Sequence, residues 1–314
     1  MNYILIPYMD NSSDVATCLK SLLPQLENDF QVVVVDDGSQ LPAVNDPELD
    51  IFKESPLITF IRHAENLGPS SARNTGLAWC RDRAAEIVIL LDSDCEAQPH
   101  FIKAHKILHA DHPDIVCIGG AIQGKGKGIW AKFDRLMSWF TSIPDSPERL
   151  VSKPLHLPTT NMSLKLQKLP NTHEIFNPAF KTGEDVAFNT VLRKRGELIL
   201  FSPEPVIVHH DRETFSSFFR HQYRWGLHTY VIRFTLQGLS WKRRALFTPA
   251  FAIGLPFYAL LATWLNISPW LKRSLGNIIY TPVLFIFYII KGVAVIDGAV
   301  HPSKSLNINL SAKL

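Results

Sequence analysis

Short apolar runs alternate with longer amphipathic stretches over the first hundred residues. Tyr3–Pro7, Gln31–Val35, Leu57–Ile61 and Ile87–Leu91 are aliphatic and β-branched runs too short for helices. They are expected as strands buried on both faces, as in a parallel sheet. Between them, Val15–Leu26 carries apolar residues at helical spacing behind the polar cluster Asp10–Ser13. A second helix is predicted to open at Gly68 and Pro69, to be capped by Ser70 or Ser71, and to run to about Arg83. Strands alternating with helices predict an α/β fold.

Two of these strands run directly into acids. Val32–Val35 leads to Asp36-Asp37-Gly38-Ser39, and Ile87–Leu91 leads to Asp92-Ser93-Asp94. The carboxyl ends of strands form the ligand crevice of an open α/β sheet. Alternating side-chain direction lets Asp92 and Asp94 converge on one divalent cation. Asp and Gly are also ordinary turn residues, so a plain turn stands beside the functional reading of Asp36 and Asp37. Arg73, one turn into its helix, offers a planar five-donor fork suited to a base or phosphate, or it is simply solvated.

The later pattern predicts a helix over Pro99–His109, a strand over Asp114–Ile118 and a mobile linker at the glycine-rich Gly124–Gly128. Trp130, Phe133, Met137 and Phe140 then recur at intervals of three and four, as a core-packing stripe or an interfacial helix. Ser142–Pro158 is expected as a loop able to fold over a substrate. Pro205–Val208 is a last short strand ending in His209-His210, and Phe215–Gly226 is an amphipathic helix. Past Gly238 the composition changes: no charged residue lies in the 27 positions between Arg244 and Lys272, nor in the 17 between Arg273 and Lys291. The first run is long enough to cross a bilayer and the second reaches that length only if it extends through Val295. The cluster Lys242-Arg243-Arg244 places its end on the cytoplasmic side, but a spanning hairpin would then put Lys272 and Arg273 outside. A re-entrant or interfacial hairpin and a buried soluble pair therefore stay open beside a spanning one.

Composition narrows the partners. Net charge is +3, with no basic block in the first two hundred residues, so nucleic acid is not indicated. Cys18, Cys80, Cys95 and Cys117 are widely spaced, without metal-ligand spacing, and read as buried thiols in a reducing compartment. The opening MNYILIPYMDNSSD lacks the charge and apolar length of a signal peptide, which is expected to leave the first domain in the cytosol.

Taken together, Ile6-Pro7, VVVVDDGS at Val32–Ser39, ENLGPSSARNTGL at Glu65–Leu77 and LLDSDC at Leu90–Cys95 resemble the family 2 glycosyltransferases of the GT-A fold, over roughly residues 3 to 226. The resemblance implies a Rossmann-like, mixed but mostly parallel sheet flanked by helices, with a C-terminal hydrophobic helical hairpin. It implies a glycosyltransferase domain over 1–236, with a nucleotide half to about 95 and an acceptor half from 96, and a membrane-associated region over 237–314. A nucleotide-diphosphate sugar, a UDP-sugar by expectation, is the implied donor. Asp37 and Arg73 are expected to hold its base, Pro7 to line the base pocket and Asp92 to contact the ribose. Asp94 is expected to ligate Mn or Mg at the diphosphate.

By the same resemblance, Asp185 in Gly183-Glu184-Asp185 is the expected general base of an inverting reaction, although acids in a first helical turn also suit the helix dipole. Glu184 is an orienting or acceptor contact. Asn161, in Thr159-Thr160-Asn161-Met162, either faces the sugar or makes strand-end hydrogen bonds. His209 is a metal ligand or a core histidine. Arg224 and Trp225 resemble the family's Q/R-x-x-R-W element, contacting diphosphate and acceptor, but His221 stands at its first place, which argues for non-processive transfer. The expected acceptor is a lipid-linked or cell-envelope glycan, at a membrane with the catalytic domain facing the cytoplasm, in a bacterium the inner membrane. A sugar-1-phosphate nucleotidyltransferase and an inactive membrane scaffold are the alternatives.

Overall fold

The computed structural model describes residues 1–26, 29–153, 155–172, 174–180, 182–232 and 241–304, with backbone alone at 241–245. Among the described residues nine strands run in chain order: β1 Asn2–Tyr8, β2 Phe30–Asp36, β3 Ile58–Arg62, β4 Ile87–Leu91, β5 Cys95–Ala97, β6 Cys117–Lys125, β7 Arg149–Leu150, β8 Asn161–Lys165 and β9 Ile199–His210. The helices are α1 Ser12–Leu22, α2 Asp50–Lys53, α3 Pro69–Asp82, α4 Phe101–Asp111, α5 Gly128–Ser138, α6 Glu184–Lys194, α7 Phe215–Tyr230, α8 Trp241–Arg273 and α9 Thr281–Val300. They pack as two units. The first comprises Met1–Gln123, Thr141–Pro178 and Phe188–His210, and the second Gly124–Phe140, Ala179–Ala187 and Asp211–Leu314.

The first unit is built on one mixed sheet with strand order β3-β2-β1-β4-β8-β6-β9-β5, and β7 beside β9. β1 pairs in parallel with β2 and β4, and β2 with β3. Val32–Val35 and Val88–Leu91 are wholly buried, as strands covered on both faces must be. β8 lies antiparallel to both β4 and β6, and β9 is antiparallel to β5 and β7. The sheet is therefore mixed, with its parallel crevice at the ends of β1, β2 and β4.

Several local expectations are corrected. α1 ends at Leu22 because Pro24, which lacks an amide proton, closes the chain into a short 3-10 turn at Leu23–Gln25. Neither Ser70 nor Ser71 caps α3; the N-cap is Gly68, which has no side chain to cap with. The glycine-rich segment carries regular structure at both ends: Gly124 and Lys125 finish β6 and Gly128 opens α5. The strand after Asp114 starts at Cys117, and the strand expected over Pro205–Val208 is the twelve-residue β9, Ile199–His210. The composition boundary near Gly238 falls outside the described residues.

In the second unit the Trp130 stripe packs as core. Its ring lies 5.9 Å from Phe218 and 6.2 Å from Phe287, and Phe133 lies 6.1 Å from Phe287. A second cluster joins Phe180, Ala187, Tyr230, Val231 and Ile232 to Val295 and Ala299 of α9. All four cysteines are free and buried.

Candidate active site

The end of β2 organises the crevice of the first unit. Asp36 is an internal brace: its carboxylate accepts from the amides of Ser39 and Ala43 and from Arg62, the last at 2.5 Å. Burial alone would raise its pKa, but these hydrogen bonds outweigh burial and hold the carboxyl below its ordinary value. Asp37 turns the other way. It accepts from the amides of Leu67 and Gly68 at 3.0 and 2.8 Å, which closes the start of α3 in place of a serine cap. His63 Nδ1 lies 2.7 Å from the same carboxylate, and His63 Nε2 lies 2.8 Å from Thr75 Oγ1. An ionised carboxylate only accepts, so Nδ1 carries a proton. Gly38, at φ +78°, makes this packing possible, because a Cβ there would collide with the Glu65–Asn66 backbone.

At the end of β4, Asp92 is held on both oxygens. Arg73 Nη2 donates to Oδ1 at 2.6 Å and Thr160 Oγ1 to Oδ2 at 2.8 Å. Arg73 is almost entirely buried, so it is not a solvated helix-face arginine. Asn11, after β1, donates from Nδ2 to Ser93 Oγ at 3.0 Å and ties the two loops flanking the crevice. Pro7 is half-buried on β1, opposite Val35. Beneath the acids lie the buried thiols of Cys18 and Cys95. Burial first, and the carboxylates of Asp94 and Asp92 next, push both far above the ordinary thiol range, so they stay protonated.

Asp94 follows at the mouth. The antiparallel pairing of β5 with β9 sets Cys95 opposite His209, and this register brings His209 Nε2 to 3.5 Å from Asp94 Oδ2. The Asp94 side chain is 41% exposed and that of His209 only 6%, so the open side of the pair belongs to the carboxylate. An oxygen and an imidazole nitrogen are donors that suit a divalent cation. Among the described residues no group of three or more His, Cys, Asp or Glu side chains is placed to hold a metal.

The placement of Asn161 corrects the acceptor-side expectation. It is 0% exposed; Nδ2 donates to the carbonyls of Ala121 and Pro205, and Oδ1 is 2.9 Å from His105 Nε2. It makes sheet hydrogen bonds and presents nothing to a sugar. His105 and His109 continue that buried network through Ser163 Oγ, each at 2.8 Å. Burial lowers their pKa values to about 4 and about 3.

Glu184, Asp185, Arg224 and Trp225 belong to the second unit. Glu184 and Asp185 stand half-buried in the first turn of α6, where Asp185 Oδ1 accepts from the Val186 amide at 2.7 Å. Further along α6, Asn189 exchanges hydrogen bonds with both backbone groups of Leu157. Arg224 is exposed on α7. The Trp225 ring packs 4.5 Å from His221 and lies under Lys291 Nζ at 4.9 Å.

His63 and Thr160 escaped the sequence reading. The signal for His63 is its place just past β3, whose register sets Arg62 beside Asp36. Thr160 has only its position before β8, and β8 pairs with β4 across a long sequence gap.

A family model described as Glycosyl transferase family 2 matches residues 3–195. The pre-mycofactocin glycosyltransferase of Mycobacterium tuberculosis is 26% identical over 215 residues, which cover 67% of this chain and 42% of that protein. The chain thus spans less than half of that relative's length. A crystal structure of S. aureus TarS 1-349 aligns with 96% of this chain and 91% of its own, at 17% identity and a TM-score of 0.51. A crystal structure of GalNAc-T7 with UDP, GalNAc and Mn2+ aligns with 68% of this chain and 44% of its own, at 16% identity and a TM-score of 0.51. Both likenesses are of fold.

Proposed function

The chain belongs to glycosyltransferase family 2, and from that premise we propose that it moves a sugar from a nucleotide-diphosphate sugar to an acceptor hydroxyl, with inversion, at a membrane surface. The observation that carries the proposal is the clustering of Asp37, Arg73, Asp92, Asp94 and His209 around the carboxyl ends of β2 and β4. Asp37 and Pro7 shape the base pocket, and Arg73 both contacts the nucleotide and orients Asp92 toward its ribose. Family membership removes the nucleotidyltransferase alternative.

Asp94 and His209 would hold Mn or Mg, and the fit of an oxygen and a nitrogen donor supports this. Bound there, the cation would neutralise charge on the diphosphate leaving group. Asp185 takes the proton from the acceptor hydroxyl as its oxygen attacks the anomeric carbon from the face opposite the departing nucleotide. Glu184 and Trp225 contact the acceptor, and Arg224 the diphosphate. A UDP-sugar is the favoured donor, since the GalNAc-T7 structure of like fold contains UDP. In this proposal residues 1–236 carry the chemistry and 237–314 the membrane contact, with the catalytic part facing the cytoplasm and a lipid-linked or envelope glycan as acceptor.

The test is nucleotide release from a panel of nucleotide sugars, with Mn or Mg, by membranes carrying the wild type or Asp94→Ala. Metal-dependent turnover of one donor, lost in the variant, supports the proposal. No binding of any donor by folded protein overturns it.

A further inference from the structure

The two C-terminal helices are long and apolar enough to cross a membrane, yet one side of their hairpin packs against α5 and α7. Near the turn, α5 holds it: Asn266 Nδ2 and Trp270 Nε1 of α8 donate to the carbonyls of Met137 and Leu136, and Phe133 packs on Tyr280 at 5.6 Å. Along α9, α7 takes over. Gly226 comes so close that a Cβ would lie 2.6 Å from Ala294 Cβ, Gly298 abuts the Leu227 carbonyl, and Tyr223 donates to Asp297 at 3.1 Å.

The other side is bare. Ile253, Phe257, Leu260, Leu261 and Trp264 form one exposed helical stripe on α8, and Ile279, Ile286, Val293 and Val300 recur every seven residues as another. Stripes of this size do not stay in water.

We propose that the α8–α9 hairpin lies within one leaflet of an anionic bilayer, along its plane, and does not cross it. This deepens the membrane part of the proposed function and is independent of its chemistry. The helix that grips the hairpin turn is α5, and α5 carries Asp134, paired with Arg212, and Arg135, paired with Asp211. A crossing hairpin would deliver its turn to the far side and draw Arg135 and Arg212, whose side chains are 25% and 29% exposed beside buried carboxylates, through hydrocarbon, where exposed charge is costly. An in-plane hairpin leaves them on the water side. It also removes the conflict of Lys272 and Arg273 with the positive-inside rule.

The choice of occupant follows from charge. Between Glu213 and Asp297 the sequence has nine Lys and Arg and no Asp or Glu. Such a segment suits anionic headgroups. Two copies set face to face would bring like charges together.

The test uses the full chain with single reporters Arg220→Cys on α7 and Ser274→Cys at the hairpin turn, the native thiols being buried. Right-side-out and everted vesicles from expressing cells are treated with a membrane-impermeant maleimide. Labelling of both reporters from the same side is expected, and labelling of Ser274→Cys only from the side opposite to Arg220→Cys would overturn the proposal. Purified protein should also bind preformed vesicles containing about one third phosphatidylglycerol more tightly than pure phosphatidylcholine, with Lys272→Gln weakening the former about fivefold. A protein that ignores vesicles and forms a dimer split by Phe257→Glu would overturn it too. Nucleotide release is read on the same vesicles: its absence alongside same-side labelling counts against the transferase chemistry alone.

Discussion

Arg73 Nη2 donates to Asp92 Oδ1 at 2.6 Å from a guanidinium that is 4% exposed. The pair joins the first turns of α3 to the end of β4 and fixes one carboxylate of the D-x-D sequence before any donor arrives. Arg73→Gln leaves Asp92 with Thr160 alone and a partly buried charge without its counterion. A loss of about 3 kcal/mol in stability is expected, together with a raised KM for the donor, read by thermal unfolding and donor titration.

Asp94 and His209 should separate by degree. Asp94→Asn is expected to abolish metal-dependent turnover. His209→Gln should keep activity but raise the metal concentration for half-maximal rate on the order of tenfold, checked by titrating Mn and Mg against nucleotide release.

Asp185→Asn removes the proposed base without removing bulk. A fall in kcat of about 100-fold or more is expected, with donor KM and unfolding temperature near wild type. An unchanged kcat would move the base elsewhere.

Asn161→Ala should act on stability rather than on acceptor use. It strips His105 and the carbonyls of Ala121 and Pro205 of a buried partner, at a cost of about 2 kcal/mol. Acceptor KM in the surviving enzyme should not move.

His105 and His109 set a pH limit. Burial lowers their folded pKa values to about 4 and about 3, below an unfolded value of about 6.5. Between those limits the unfolded chain binds more protons, so stability is complete above about pH 6.5 and falls as pH drops. Each histidine should cost about 2 kcal/mol between pH 7 and pH 5, visible as a falling unfolding temperature. A variant with both replaced by Gln should show a flatter profile.

The elements most legible from sequence were those in which local pattern and buried environment agree. Val32–Val35 and Ile87–Leu91 could only be inner strands, and their acids had to emerge at one sheet end. The family followed from those junctions. Other elements were settled by pairing. Only Pro205–Val208 of β9 was legible, because its first half, Ile199–Glu204, is placed by pairing with β7. Gly124–Gly128 looked like a linker because nothing in it announces Asp211, whose carboxylate would crowd any side chain at Gly124.

By itself, then, the sequence determined the α/β class, the two acidic strand ends, the stripe of Trp130 and the apolar length of the C-terminal helices, because each is a property of neighbours along the chain. Tertiary structure alone decided that His209 meets Asp94, that His63 and Thr160 brace Asp37 and Asp92, that Asn161 is internal, and that the hairpin is bare on one side. Each of those facts depends on strand register or helix packing between residues tens to hundreds of positions apart, which no local spacing encodes.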